Sequence, residues 1–295
     1  MPKSKTERTL VTDELSSIAT TIEQLHEAGV DADQDTARAV FASFRAGLSD
    51  GRIRAATPDK AEPTGWKVNT WVKQGILIGF RCGEISSFPG ADPTVPFLDK
   101  DTLPLKVLGP SSRVRLVPGG SSIRDGSYVG PGVICMPPMF INIGAYVDEG
   151  TLVDSHALIG SCAQIGKRVH VSAGAQVGGV LEPIGALPVI VEDDVLVGGS
   201  TGIYEGAVVK AHAVIAAGTV LTGSTPVYDL PRERVLTPES SSPVVIPEGA
   251  VVVPGSRAVT AEAGRRWGLS LATPVIVKYR DDKTDARTEL EAWLR

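Results

Sequence analysis

From Val117 the chain places an apolar residue at every sixth position: Val117, Ile123, Val129, Cys135, Ile141, Val147, Val153, Ile159, Ile165, Val171 and Val177. A helix repeats near 3.6 residues and a simple strand alternates at two, so a period of six belongs to neither. The fifth place of each hexad is short (Ser121, Ser127, Val133, Ala145, Thr151, Ala157, Ala163, Val169, Ala175), with Met139 the exception. A few-residue strand cannot bury a face alone. Coiled into a three-sided prism of about eighteen residues per turn, each hexad supplies one flat side, its anchor points inward, and the short residue fits the narrow interior. Main-chain groups then pair with the coils above and below. The pattern predicts a mainly β chain: a left-handed parallel β-helix of hexapeptide repeats.

The register breaks after Val177 at "LEPIGALP" (181–188) and resumes at Val191, Val197, Ile203, Val209, Ile215 and Leu221. The fourteen residues from Val177 to Val191 read as two hexads plus two extra. A second interruption near 222–245 is rich in Pro, Ser and charge, and the phase returns at Ile246 and Val252. Upstream, 9–28 and 35–48 read as amphipathic helices, the first on Leu10, Leu15, Ile18, Ile22 and Leu25 with Gly29 as a stop, the second on Val40, Phe41, Phe44 and Leu48. "GWKVNTWVKQGILIGFRC" opens a third element and 83–113 is loop-rich. The tail alternates around Val275 and Val277, then turns charged and helical toward Leu290 and Leu294, as a cap for an open prism end would. Three segments are expected: a helical region and linker over 1–112, the β-helix over 113–256 with its two insertions, and a strand and helix over 257–295.

Net charge is −5, which disfavours nonspecific nucleic-acid binding. Three dispersed cysteines form neither a disulfide framework nor a Cys-x-x-Cys pair. No leader-like apolar segment follows the basic N-terminus and no apolar run is long enough to span a membrane. A cytoplasmic protein with no membrane or nucleic-acid partner is expected. His156, His170 and His212 lie in the repeats without a His-x-x-x-x-His pair, so no metal is expected.

The block "MFINIGAYVDEGTLVDSHALIGSCAQIGKRVHVSAGAQVGGVLEP" (139–183) closely resembles the core of the tetrahydrodipicolinate N-succinyltransferases, the succinyl-CoA-dependent enzymes of bacterial lysine and diaminopimelate synthesis. "GWKVNTWVKQGILIGFR", "VRLVPGG" and "PVIVKY" extend the likeness over nearly the whole chain. The resemblance implies an acyltransferase with succinyl-CoA as co-substrate, acyclic 2-amino-6-oxopimelate as acceptor, and a homotrimer with active sites between subunits.

By the same resemblance Asp154 meets the substrate amine as a catalytic residue, and Arg115 matches a substrate-binding arginine that can grip a carboxylate bidentately. His156, where the family usually has Trp, could line the substrate site. The family carries Arg-Ser-Glu where this chain has Ser200, Thr201 and Gly202, so the second carboxylate is missing. Glu205, with Asp193 and Asp194 the other nearby acids, takes over as a catalytic residue, or one carboxylate suffices, or the substrate differs. Ala175, Gly178, Gly179, Ala217 and Gly218 offer bare backbone for the CoA pantetheine arm. Lys210, Arg257 and Lys278 could meet CoA phosphates. The alternatives are an acetyl-CoA-dependent N-acetyltransferase on a related amino-dicarboxylate and a noncatalytic β-helix trimer.

Overall fold

The computed structural model describes residues 5–89, 96–238 and 243–280, with side chains from Asp13 onward. The hexads stack as the period requires. Three sets of two-residue parallel strands form three faces. Face I runs through Arg115–Leu116, Ile134–Cys135, Leu152–Val153, His170–Val171, Leu196–Val197 and Val214–Ile215. Face II runs from Ser122–Ile123 through Leu158–Ile159, Gln176–Val177 and Gly202–Ile203 to Val220–Leu221. Face III runs from Tyr128–Val129 through Gln164–Ile165 and Ile190–Val191 to Val245–Ile246. Within each regular face, partners lie eighteen residues apart, as in Val153 against Val171.

The second residue of each strand points inward. Ile141, Val147, Val153, Val171 and Val177 are fully buried in one continuous core with the short corner residues Val133, Ala163 and Val169. Burying each aliphatic anchor is worth about 1.5–3 kcal/mol. Val117 sits at the open end and is only half-buried.

The fourteen-residue step resolves differently from the two-hexad reading. Val177 closes a strand of face II and Val191 closes one of the next face, III, so a single corner absorbs the excess as a loop. The second insertion is not wholly irregular. Val227–Asp229 and Arg234–Leu236 form a hairpin. Buried Asp229 accepts from Arg234 Nε at 3.0 Å and from the Tyr279 hydroxyl at 2.8 Å. Both bonds reach Oδ2, and they tie the hairpin to the C-terminal strand, while the buried Oδ1 has no hydrogen-bond partner among the described residues. The strand Ala250–Ala258 joins face I at Val251 and Val252 and pairs antiparallel with Ser270–Tyr279 along its length. The helix expected around Leu290 and Leu294 lies outside the described residues.

Upstream are α1 (Lys5–Ala28), α2 (Gln34–Ser49) and α3 (Thr70–Cys82). Asp33 caps α2 by accepting from Thr36 N. Ile18, Ile22, Leu25, Phe41, Phe44, Val72 and Ile76 form the helical core, with Leu15 packed at its edge; the Leu10 side chain lies outside the described set. Gly79 lets α3 approach α2 closely, since a Cβ there would meet the Phe41 ring at 2.1 Å. Ile143 and Cys162, both on the corner between faces II and III, complete this core. The helices therefore sit on that corner, directly below the loop 181–188.

Candidate active site

The corner between faces I and II holds the first group of expected residues. Asp154 follows the anchor Val153, so the pleat turns its side chain outward, where it stays half-buried. Its Oδ1 accepts from Ser155 N at 2.7 Å, which fixes the carboxylate at the start of the turn. His156 stands two residues on, exposed, in the left-handed conformation at φ 62°. Arg115 is exposed on the same face, two strands below, with Ile134 between them in the pairing. At about 4.8 Å per strand that offset is about 10 Å along the axis.

Above Asp154 the same corner carries only small residues. Ser172, Ala173 and Gly174 come first, then Gly198, Gly199 and Ser200, then Ala216, Ala217 and Gly218. Ala217 and Gly218 are exposed at the top. Gly198 has to be glycine, because a Cβ there would meet Ala217 N at 2.5 Å. The result is a strip of accessible backbone rising from a carboxylate.

The other expected residues stand on the corner between faces II and III. Gly178 and Gly179 open the loop 181–188, and Glu205 lies one coil above them at φ 52°. With Val180, Glu182, Pro183, Ala186 and Tyr204 they line a cavity of about 430 Å³. Glu205 also borders a neighbouring cavity of about 770 Å³ between the loop and the segment 62–68. Its Oε2 accepts from Gly223 N at 2.9 Å. Asp154 and Glu205 therefore occupy different corners of one prism. The two-hexad step would also have separated them, though on other faces.

Several expectations need correction. Ala175 is fully buried in the prism core; its N–H donates to Ser172 O within the turn and its carbonyl accepts from Leu158 N of the coil below, so it presents nothing to a ligand. Lys210 does not reach outward: its Nζ donates to Glu192 Oε1 at 2.8 Å and to Thr64 O at 2.7 Å. Glu192 also accepts from Trp66 Nε1 at 2.8 Å, so this cluster fastens the segment 59–66 to the prism. Asp193 and Asp194 belong to the corner between faces III and I. Asp193 accepts from Lys167 N, and Arg168 holds Asp194 below the ordinary carboxylate range through hydrogen bonds at 2.7 Å. Within one chain neither acid lies on the face of Gly202 or at the corner of Glu205. His170 lies on face I, His156 on the corner that follows that face and His212 on the corner that precedes it, and no metal-binding group of His, Cys, Asp or Glu occurs among the described residues.

Two residues escaped the sequence reading. Lys73 of α3 is fully buried and donates to the Ala186 carbonyl in the loop. Tyr204 lies over Gly202: a Cβ on Gly202 would meet the ring at 2.4 Å and the hydroxyl at 3.0 Å. The first left only a lysine amid apolar helix positions as a signal; the second left an aromatic beside an unexpected glycine.

Stacked hexapeptide coils, with a carboxylate at the foot of a bare-backbone corner, define a hexapeptide-repeat acyltransferase. The family model described as tetrahydrodipicolinate N-succinyltransferase N-terminal matches residues 17–82. The 2,3,4,5-tetrahydropyridine-2,6-dicarboxylate N-succinyltransferase of Nitrobacter winogradskyi is 39% identical over 254 residues, which span 84% of this chain and 86% of that one. Its counterpart from Aromatoleum aromaticum is 42% identical over 264 residues, spanning 88% and 89%. The chain belongs to the tetrahydrodipicolinate N-succinyltransferase family and is an N-succinyltransferase of diaminopimelate and lysine biosynthesis.

Proposed function

We propose that the chain transfers the succinyl group of succinyl-CoA to the amine of acyclic 2-amino-6-oxopimelate by direct attack. The observation that carries this reading is the placement of Asp154. It is an outward, hydrogen-bonded carboxylate at the foot of a strip of accessible backbone, with Arg115 on the same face.

An ammonium has no lone pair, so the acceptor must lose a proton before it attacks. Asp154 accepts that proton or orients the N–H. Arg115 pairs with a carboxylate of the acceptor through its planar fork. The neutral amine adds to the thioester carbonyl. The C–S bond then breaks, and CoA leaves as its thiolate, taking up a proton. N-succinyl-2-amino-6-oxopimelate and CoA are the products. Small residues along the corner let the pantetheine arm approach the backbone closely, and exposed N–H groups there can stabilise the oxyanion.

The period of six supports a left-handed coil. The split of the site between two corners of one prism supports a homotrimer, in which a neighbour's second corner would face the first. The three cysteines are buried and free, in keeping with a reducing cytoplasm. Release of CoA from succinyl-CoA with 2-amino-6-oxopimelate tests the reaction. Asp154→Asn should cut kcat at least a hundredfold, the range of a lost general base. Unchanged turnover in that variant, or turnover with acetyl-CoA alone, would sink this reading.

A further inference from the structure

The cavity between Gly178 and Glu205 has an unusual wall. Its lining side chains include two carboxylates, Glu182 and Glu205, with Val180, Pro183 and Ala186, and no cation among the described residues. Ionised carboxylates only accept hydrogen bonds. Among the described residues Tyr204 is the one lining side chain that can donate. Its ring is laid flat on the coil, because both residues beneath lack side chains. A Cβ on Gly178 would meet Cδ1 at 2.8 Å, and one on Gly202 would meet Cε2 at 2.4 Å. The ring is half-buried, and its hydroxyl has no hydrogen-bond partner among the described residues. Nearby, the exposed Gly179 has an N–H that likewise bonds no acceptor among them.

We propose that Tyr204 is a ligand-binding residue of this enzyme: its ring walls the cavity against Gly178 and Gly202, and its hydroxyl donates to a carbonyl oxygen of the CoA pantetheine arm. Two donors, Tyr204 Oη and Gly179 N, match a ligand rich in amide carbonyls. The two glutamates match the amide N–H groups of the same arm and repel a carboxylate, so the free end of the succinyl group lies elsewhere. A side chain on residue 202 and the ring of Tyr204 exclude each other sterically. The glycine at 202 is thus the condition for the tyrosine's placement.

This assignment rests on the acyl-CoA reading and on a trimer in which this corner of one chain faces the small-residue corner of its neighbour, but it is tested apart from turnover. Binding of CoA is measured by calorimetry for wild type, Tyr204→Phe and Gly202→Ala, and KM and kcat for succinyl-CoA are measured alongside. Tyr204→Phe keeps the ring and removes only the hydroxyl. Its Kd for CoA should rise about fivefold, within the range of one neutral hydrogen bond, with KM following and kcat within about twofold of wild type. Gly202→Ala keeps the hydroxyl and dislodges the ring, and should weaken CoA binding at least as much. An unchanged Kd in Tyr204→Phe, or a fall in kcat at unchanged KM, would overturn the proposal. Should Tyr204→Phe fail to fold, the Gly202→Ala result decides alone, and tight CoA binding there overturns it. If wild type binds CoA and Tyr204→Phe weakens it, yet no amino-dicarboxylate is acylated, the acceptor assignment fails and the role of Tyr204 stands.

Discussion

Lys73 Nζ, fully buried on α3, donates to the carbonyl of Ala186, which belongs to the loop bordering both cavities at the corner of Glu205. A helix outside the prism thereby holds a wall of the groove. Burial depresses the Lys73 pKa, with the Cys162 thiol a weaker opposing influence. In the window between that lowered value and the ordinary lysine range, the unfolded chain binds more protons than the folded one. The stability cost of burying this charge is therefore full at low pH and fades as pH rises through the window. Lys73→Met should lose the loop anchor, lower Tm, and show a flatter rise of stability on the alkaline side. Thermal unfolding of both proteins from pH 7 to 10 measures the two slopes, and parallel slopes would refute the assignment. Lys106, also depressed by burial, is common to both proteins and cancels.

Gly160 is the glycine beneath the cavity floor. A Cβ there would meet Gly179 N at 2.1 Å, and backbone cannot swing aside as a flexible side chain can. Gly160→Ala should cost about 1–3 kcal/mol, the usual scale of overpacking. It should also raise KM for the CoA ester, because the displaced residues are Gly178 and Gly179. Denaturant titration and steady-state kinetics read the two effects, and a variant of wild-type stability would show that the coils can spread.

Lys210→Met separates two readings of one lysine. A phosphate contact would appear as weaker CoA binding with little change in Tm. The bonds to Glu192 and Thr64 instead predict a stability loss of about 1–3 kcal/mol, since Glu192 would be left half-buried without its cation. CoA affinity should stay within about twofold. Calorimetric titration beside a melting curve distinguishes the cases.

Burial pushes the Cys135 and Cys162 thiols up to about 12. Thiolates are the reactive form, so both should resist a thiol reagent at neutral pH in the native protein. Full labelling should follow denaturation. Rapid labelling of either residue in the folded state would show that the prism or the helical core opens readily.

Asp154 and Glu205 occupy different corners, so neighbouring chains would have to bring them together. Asp154→Ala and Glu205→Ala chains, each weak alone, should regain activity when unfolded and refolded as a mixture. Recovery should peak near equal proportions. No recovery at any ratio would place both residues' action within one chain, or remove Glu205 from the reaction.

Much of this architecture was legible because it depends on local spacing. A six-residue apolar period with a short fifth residue admits a coil and little else, and it placed Val153, Ile159 and Ile165 inside and Asp154 outside. The helices at 9–28 and 35–48 followed from their apolar stripes. The same logic failed for Ala175, whose smallness suits a core as well as a groove, and for Lys210, whose partners Thr64 and Glu192 come from distant parts of the chain.

The sequence by itself determined the prism, the outward direction of Asp154 and, through the block 139–183, the family. Only the tertiary structure decided which corner each residue occupies. The step from Val177 to Val191 is compatible with one corner loop or with extra coil, and strand pairing alone selects between them. It also decided what fills the space above Gly202. An absent side chain leaves no mark on periodicity, whereas the ring of Tyr204 reaches that space only after the coils have stacked.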